Sequence, residues 1–302
     1  SKATNLEVFF SHQQSPEDHA KTVIGTKFSW PKDITEGYDH RYLDNKAKEK
    51  NVNSFFGCNC PSIFKEIDRG KFDLFIVFGW HSFVYVQAIL ACKLSRTPVF
   101  VRSDSTLKEQ RSLYKKVVKS LTYPILLRIP SGFFYVGKRN REFYQNYFVP
   151  PDRLYFSPHC VGDSRFFPGK TNRSPIRNSR IIKVLTVASL IPLKRVGDVL
   201  IACKSLSDRG YDIRVSVVGS GVLLGELKKL AKELGLASTF HSFVNQDNLR
   251  EHYLSTDLLV LGSESESWGL VVNEAMQCGL PVVVSDACGC SEDLVTEYTG
   301  EV

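Results

Sequence analysis

Residues 257–276 have the sequence DLLVLGSESESWGLVVNEAM, in which an apolar run, a serine- and glutamate-rich loop and a second apolar segment follow one another. The run 257–262 has the length of a buried strand, and the segment 268–278 predicts a helix. Gly269 stands near the start of this helix, where a residue without a Cβ lets a ligand approach the backbone. Because the first N–H groups of a helix have no intrahelical acceptor, those of residues 268–271 favour an anion.

Two carboxylates flank this predicted anion site. Seven residues separate Glu266, in the loop, from Glu274, which we expect two turns along the helix and on the same side as its start. Carboxylates do not bind phosphate, but they accept hydrogen bonds from sugar hydroxyls. The simpler alternative is a capping and a solvated glutamate, but the surrounding segments favour a nucleotide-sugar site. The residues expected to contact the donor here are Glu266, Ser267, Trp268, Gly269, Leu270 and Glu274.

The two glutamates, followed by AM at 275, GLPVV at 279 and SD at 285, resemble the signature of glycosyltransferase family four. The resemblance implies an α/β protein of the GT-B fold, with two Rossmann-like doubly wound parallel-sheet domains that face each other across a cleft. It also implies a retaining enzyme, with Glu266 at the donor sugar and phosphates and Glu274 at the ribose hydroxyls. Because GT-B enzymes normally continue with more of the second domain, we expect the C-terminal part to be truncated.

Length and composition predict an ordinary globular protein with two domains, since the chain has 302 residues with 43% hydrophobic and 24% charged. No apolar run reaches the ~20 residues that span a bilayer, and we expect a cytoplasmic protein, peripheral at the inner face of the membrane. Eight scattered cysteines predict reduced thiols. The pairs Cys58/Cys60 and Cys288/Cys290 are spaced more closely than is usual in zinc sites, so we predict no metal.

Domain organisation follows from the alternation of predicted elements and from charge. We expect an N-terminal acceptor-side domain over 1–167, a linker over 168–180 and an incomplete nucleotide-sugar-binding domain over 181–302. In the last of these, predicted strands 183–190, 213–219, 239–244, 257–262 and 281–285 alternate with predicted helices 196–208, 223–234, 247–254 and 268–278, which predicts a parallel sheet. Residues 1–167 hold 25 Lys and Arg against 16 Asp and Glu, so this half favours an anionic partner or surface.

Two predicted strand ends in the first half carry polar candidates for catalysis. His81 follows the apolar run 72–79, whose continuous hydrophobicity predicts a parallel strand covered on both faces. Arg102 and Asp104 follow the strand 98–101, where many relatives in the family have a histidine. We expect His81 and Asp104 to be catalytic; packing or capping for His81, and a helix N-cap for Asp104, are about equally good interpretations.

Residues 108–128 combine basic and apolar side chains in a predicted helix. A basic amphipathic helix can lie on an anionic membrane surface, but a helix packed on the sheet with solvated lysines is the commoner case. The resemblance favours the first, since many relatives use lipid-linked acceptors. The segment contains no recognisable nucleic-acid motif, so we expect no nucleic-acid partner.

Loops at other strand ends of the second half complete the predicted donor site. The resemblance implies that Lys194 binds the diphosphate. Ser189 stands where the family has an Arg, and Arg195 or Arg102 would supply the missing positive charge. A Lys ammonium stabilises the charge that grows on a leaving diphosphate. The remaining positions expected at the nucleotide are Gly219, Phe243 and Val244.

The predicted function is that of a hexosyltransferase that uses a nucleotide-sugar such as a UDP- or GDP-sugar, without a metal or other cofactor. No Asp-x-Asp pair is present to hold a divalent cation, and no P-loop motif indicates an ATPase. The resemblance implies a lipid-linked or polysaccharide acceptor. Two alternatives stay open: a nucleotide-sugar epimerase, and a non-catalytic nucleotide-sugar-binding protein.

Overall fold

The computed structural model of the chain describes residues 5–13, 35, 37–108, 113–162, 181–242, 244 and 246–302. The predicted linker 168–180 and Phe243 lie outside the described residues. The chain divides into two compact units, of which the first holds most residues up to Pro158 and the second holds His159–Val302.

The first unit contains a four-stranded parallel sheet and a separate parallel pair of strands. The pair consists of β1 (Glu7–Phe10) and β2 (Asp39–Tyr42). The four-stranded sheet has, in spatial order, β3 (Phe75–Val77), β4 (Val99–Ser103), β5 (Gly132–Tyr135) and β6 (Leu154–Phe156). The helices described in this unit are α1 (Ile63–Gly70), α2 (Phe83–Ser95), α3 (Leu113–Leu126) and α4 (Lys138–Asn146), with single 3₁₀ turns at Phe55–Gly57 and Pro151–Arg153.

The prediction that the run 72–79 is covered on both faces is wrong within the described residues. Its regular strand is limited to β3, which lies at the edge of the four-stranded sheet. Val77 is buried in the core of the unit, but Ile76, which points to the opposite face, is 42% exposed. A continuous apolar run therefore identified the strand correctly but could not tell that only one of its faces is buried.

The second unit is built around a six-stranded sheet in which every pair is parallel. Its strands are β7 (Ile181–Val187), β8 (Asp212–Val218), β9 (Ser238–His241), β10 (Leu258–Leu261), β11 (Val282–Val284) and β12 (Gly300–Glu301). Its helices are α5 (Val196–Asp208), α6 (Leu224–Glu233), α7 (Gln246–Leu254), α8 (Leu270–Gln277) and the single turn α9 (Ser291–Leu294), and a 3₁₀ turn spans Pro192–Lys194. The predicted α/β alternation is confirmed, with element ends that differ by at most three residues.

The order of these strands defines where a ligand would lie. The sheet runs β12-β11-β10-β7-β8-β9, which is the Rossmann order of two half-sheets that diverge from the centre. The strand order reverses between β7 and β10, which pair directly at Leu258 with Val184 and at Leu259 with Leu185. Open α/β sheets bind ligands outside the carboxyl ends of the strands at such a point, which here is formed by the loops after β7 and β10.

Gly219, in the loop after β8, lies against the backbone at the end of β7. Its backbone lies so close to β7 that a Cβ would approach the carbonyl oxygen of Ala188 to 1.9 Å. Two backbone hydrogen bonds hold the loops together, from Ala188 N to Val218 O at 3.1 Å and from Leu190 N to Ser220 O at 2.9 Å. The glycine is therefore required by the packing of two backbones, whether or not a ligand also approaches it.

We expect Gly219→Ala to lower the free energy of unfolding by about 1–3 kcal/mol, because the added methyl group must displace backbone. Gly225→Ala is the matched control, since a Cβ at this position in α6 meets nothing within 4 Å. Alanine is the better helix former, so the control should be unchanged or gain up to about 1 kcal/mol. Urea unfolding of both variants measures this, and equal stabilities would contradict the packing argument.

Candidate functional site

An ion pair joins the two loops on either side of the point where the strand order reverses. Lys194 ends the 3₁₀ turn after β7, and its Nζ contacts Oε2 of Glu266 in the loop after β10. Both side chains are largely buried, at 18% and 19% exposed. A backbone hydrogen bond from Glu264 N to Leu193 O, at 2.9 Å, runs beside the pair. The structure thus brings together the two residues that the sequence predicted to contact the sugar and the diphosphate.

The loop after β11 supports Glu266 from the other side. Gly289 N donates to Glu266 O at 2.9 Å, and Cys290 N donates to Trp268 O at 3.0 Å. A Cβ on Gly289 would lie 1.8 Å from Ser267 O, so only glycine allows this approach. The side chains of Cys288 and Cys290 on either side of this glycine are both buried. Burial raises the pKa of Cys290 to about 12, and no group of three metal-ligating side chains occurs within the described residues.

The helix that follows the glutamate-rich loop begins later than the sequence predicted. Gly269 is the N-cap of α8 and has φ +101°, in the left-handed region, so Trp268 lies outside the helix. Leu270 is the first helical residue, which places Glu274 one turn along the helix rather than two. Both still lie on one side, and the first-turn N–H groups of Leu270 and Val271 have no intrahelical acceptor.

The side chain of Trp268 turns inward and is 4% exposed. Its Nε1 donates to Oδ1 of Asn273 at 2.8 Å, and Nδ2 of Asn273 donates to the carbonyl oxygen of His159 at 3.5 Å. The rings of His159 and Trp268 lie 5.5 Å apart, and Nε2 of Gln277 donates to the carbonyl oxygen of Val161 at 3.2 Å. The indole therefore packs the segment 159–162 against α8. The predicted contact of Trp268 with the nucleotide-sugar stays a prediction, and it concerns the backbone N–H rather than the side chain.

Glu274 is buried inside the second unit, with 4% of its surface exposed. Its Oε2 accepts a hydrogen bond of 2.7 Å from the hydroxyl of Tyr253, which lies on α7. Burial, and next the negative charge of Glu274, raise the pKa of Tyr253 well above its ordinary value. The interpretation of Glu274 as a solvated helix residue is therefore wrong. Sequence reasoning missed Tyr253, because the two residues are 21 positions apart and on different helices.

Other residues predicted at the donor follow the carboxyl ends of strands in the same sheet and make separate contacts. Nε of Arg195 pairs with Oδ2 of Asp198 at 2.8 Å on the first turn of α5, while Lys194 pairs with Glu266. Ser189 is half-buried at the end of β7, and its carbonyl oxygen accepts from Ile191 N at 2.9 Å. Val244 is half-buried beyond the end of β9.

The candidates from the first half lie at the carboxyl edge of the sheet in the first unit. His81 is exposed, and its ring lies 5.2 Å from that of Tyr85 on α2. Asp104 is half-buried just after β4, and the residues that follow it up to Lys108 are not helical, so the alternative that Asp104 caps a helix is wrong. The guanidinium of Arg102 donates to the carbonyl oxygens of Ser157 and Pro158, each at 3.4 Å. These residues belong to one unit, and Lys194 and Glu266 belong to the other.

Solved structures similar to this one indicate the fold. The structure of Anabaena Alr3699/HepE in complex with UDP and glucose matches 96% of this chain and 83% of its own, with a TM-score of 0.63 and 18% identity. WaaG, a glycosyltransferase involved in lipopolysaccharide biosynthesis, matches 98% of this chain and 86% of its own, with a TM-score of 0.62 and 18% identity. The chain has the GT-B fold.

The sequence relatives of this GT-B protein are glycosyltransferases. Residues 170–302 match the family described as "Glycosyl transferases group 1". The GDP-mannose-dependent alpha-(1-6)-phosphatidylinositol monomannoside mannosyltransferase of Mycobacterium tuberculosis is 28% identical over 194 residues, which cover 59% of this chain and 50% of the relative. The chain spans about half the length of the curated relatives that it matches first.

Thiol labelling should distinguish the buried cysteines from the exposed one. Of the eight cysteines, all of which the structure describes, Cys160 alone is exposed. Burial raises the pKa of Cys60 to about 11 and that of Cys92 to about 12. The thiolate is the reactive form, so we expect one thiol per native chain to react with a disulfide reagent at pH 8, and all eight in denaturant.

The control for this labelling is Cys160→Ser, which should abolish the reaction of the native chain. Rapid reaction of a second thiol would show that a buried cysteine opens to solvent. Protection that disappears on adding a chelator would show instead that a C-x-C pair binds a metal, and the prediction of no metal would be wrong.

Proposed function

We propose that this protein binds a nucleotide-sugar at the second unit and transfers the sugar to an acceptor. The observation that carries the proposal is the largely buried Lys194–Glu266 ion pair, which lies beside the start of α8 where the strand order reverses. A lysine and free helix N–H groups suit a diphosphate, and carboxylates suit hydroxyl groups. The group 1 match over residues 170–302 includes both residues of the pair.

The pair also suggests how the site changes when a donor arrives. Without a ligand, Glu266 neutralises Lys194 and reduces the cost of keeping either charge largely out of water. An incoming diphosphate supplies a second anion for Lys194, and Glu266 then accepts hydrogen bonds from the sugar hydroxyls. As the bond to the sugar breaks, Lys194 and the N–H groups of Leu270 and Val271 stabilise the charge on the leaving diphosphate.

Finer features of the reaction belong to the same proposal. We propose hexosyl transfer with retention at the sugar and without a metal, because Lys194 and the start of α8 supply the positive charge that a metal would supply. Two relatives support a UDP- or GDP-sugar: one is crystallised with UDP and glucose, and the other is GDP-mannose-dependent by its name. The names of similar proteins, a phosphatidylinositol monomannoside mannosyltransferase and a glycosyltransferase of lipopolysaccharide biosynthesis, support an acceptor that is lipid-linked or part of a polysaccharide. His81 and Asp104 are proposed to act on the acceptor side.

Helix α3 supports an acceptor at a membrane surface. Its exposed apolar stripe consists of Val117, Leu121 and Ile125, which are 56%, 70% and 67% exposed. On the opposite side, Tyr123 and Leu127 pack into the core of the first unit. Residues four apart lie on one face of a helix, so this apolar face is turned to solvent rather than onto the sheet.

Charge on the same segment favours an anionic lipid surface as the occupant of this face. The basic residues of the segment are Lys108, Arg111, Lys115, Lys116, Lys119 and Arg128. Apolar side chains that enter the headgroup region beside cations are the usual anchor of a peripheral protein. No described helix is both long and apolar enough to cross a membrane. We propose that the protein works at the cytoplasmic face of a membrane.

Calorimetric titration of UDP, GDP and ADP tests the donor site directly. One nucleoside diphosphate should bind. Lys194→Met should lower the affinity for this nucleotide at least tenfold, because a hydrogen bond to a charged group contributes about 1.5–3 kcal/mol. Lys229→Met is the matched control, since Lys229 pairs with Glu233 on the exposed face of α6 at 3.7 Å and should bind as the wild type does.

Incubation with donor sugars then separates transfer from its rivals. Sugar transfer with the anomeric configuration retained, followed by NMR, supports the proposal. Epimerisation of a donor incubated alone would make the protein an epimerase, and binding without any transfer would make it a nucleotide-sugar-binding protein. If none of the three nucleotides bound, the proposed donor site would be wrong.

The membrane face is tested by sedimentation with vesicles of neutral lipid and of the same lipid with 30% anionic lipid. The protein should bind the anionic vesicles and lose affinity as salt is raised. Leu121→Gln with Ile125→Gln should weaken binding at least tenfold, since each apolar side chain that leaves the interface costs about 1.5 kcal/mol or more. Leu94→Gln on α2, where Leu94 is 77% exposed, is the control. An equal effect of the control would contradict a role for α3.

A further inference from the structure

The contact between Tyr253 and Glu274 places a carboxylate in the interior of the second unit. Tyr253 has no exposed surface, and its hydroxyl donates to Oε2 of Glu274 at 2.7 Å. Burying a carboxylate is costly unless hydrogen bonds compensate for the lost water. The hydrogen bond from the phenol compensates in part for the lost water and favours one orientation of the Glu274 carboxyl group.

The position of Tyr253 is fixed by the contacts of the residues that follow it. It lies in the last turn of α7, where the hydroxyl of Thr256 donates to the carbonyl oxygen of His252 at 2.9 Å. The next residue, Asp257, is tied to the start of β7 by two hydrogen bonds, from its N–H to Lys183 O at 2.8 Å and from Lys183 N to its Oδ2 at 2.7 Å. The phenol is therefore held relative to β7, at whose far end Lys194 follows.

The chemistry of the tyrosine limits what else Glu274 can bind. Because its pKa is raised, the phenol keeps its proton throughout the working range of pH and acts towards Glu274 as a donor. A carboxylate only accepts hydrogen bonds, so any ligand atom that hydrogen-bonds to Glu274 must carry a hydrogen. Glu274 also lies on the same side of α8 as its first residue, Leu270, one turn from the N–H groups proposed to hold the diphosphate.

We infer that Tyr253 is a positioning residue that orients Glu274 towards the ribose hydroxyls of the nucleotide, and so determines the preference for ribose over deoxyribose. The inference rests on the proposed function. A site built around a fixed acceptor rejects a ligand that lacks the matching hydroxyl, since its buried polar group is then left without a partner. Without the phenol, Glu274 loses its orientation and the preference falls, while the diphosphate contacts at Lys194 stay as they are.

The experiment compares a ribonucleoside diphosphate with its 2′-deoxy and 3′-deoxy analogues by calorimetric titration, using whichever of UDP, GDP and ADP the wild type binds best. The wild type should prefer the ribonucleotide over at least one analogue by tenfold or more. Tyr253→Phe should reduce that preference to about threefold or less. Lys194→Met should weaken binding by the same factor in the Tyr253→Phe variant as in the wild type, because Lys194 and Tyr253 contact different partners. Tyr298→Phe, at a residue that is 89% exposed, should behave as the wild type.

A second variant keeps the test decisive if Tyr253→Phe does not fold. Glu274→Gln retains the phenol and the volume but not the charge, and it should lose the same preference. An unchanged preference in the folded variants overturns the inference and leaves the donor site standing. An equal loss of affinity for ribo and deoxy forms also overturns it, since that result indicates a purely structural tyrosine. If the wild type binds no nucleoside diphosphate, both the inference and the proposed function are wrong.

Discussion

The parallel pairing of β7 with β10 is the constraint on which the rest of the second unit depends. It places the carboxyl ends of two strands from different half-sheets side by side, so that the loops after them must share one space. Those loops supply Lys194 and Glu266, which are 72 residues apart in the chain and form an ion pair. The pair is therefore a product of strand order rather than of local sequence.

Close approach of backbones makes this arrangement specific. Gly219 and Gly289 stand where two loops touch, and in each case a Cβ would lie less than 2 Å from a carbonyl oxygen of the neighbouring loop. The loops after β7, β8, β10 and β11 are thereby packed at the carboxyl edge of the sheet. A residue such as Glu266 is held by neighbours on both sides, which limits how far its carboxylate would move in the proposed exchange of partners at Lys194.

The two glutamates of the glutamate-rich segment meet different surroundings. Glu266 remains partly accessible and has a cation as its partner, whereas Glu274 is buried and accepts a hydrogen bond from a phenol. In the first, the strongest contact is with a group that a diphosphate can take over. In the second, the contact is with a buried, uncharged phenol. The difference suits one carboxylate that changes partner on binding and another that keeps its own.

The amino-acid sequence by itself determined the alternation of strands and helices, the strand–loop–helix unit that carries both glutamates, and the candidate Lys194. These follow from local periodicity and from a resemblance confined to neighbouring residues. It could not place Gly269 outside α8, which depends on a left-handed backbone, nor show that β3 lies at the edge of its sheet. Only the tertiary structure decided that Trp268 points inward, that Arg195 pairs with Asp198, and that Tyr253 contacts Glu274. Such contacts depend on how helices and loops pack on the sheet, and packing depends on residues far apart in the chain.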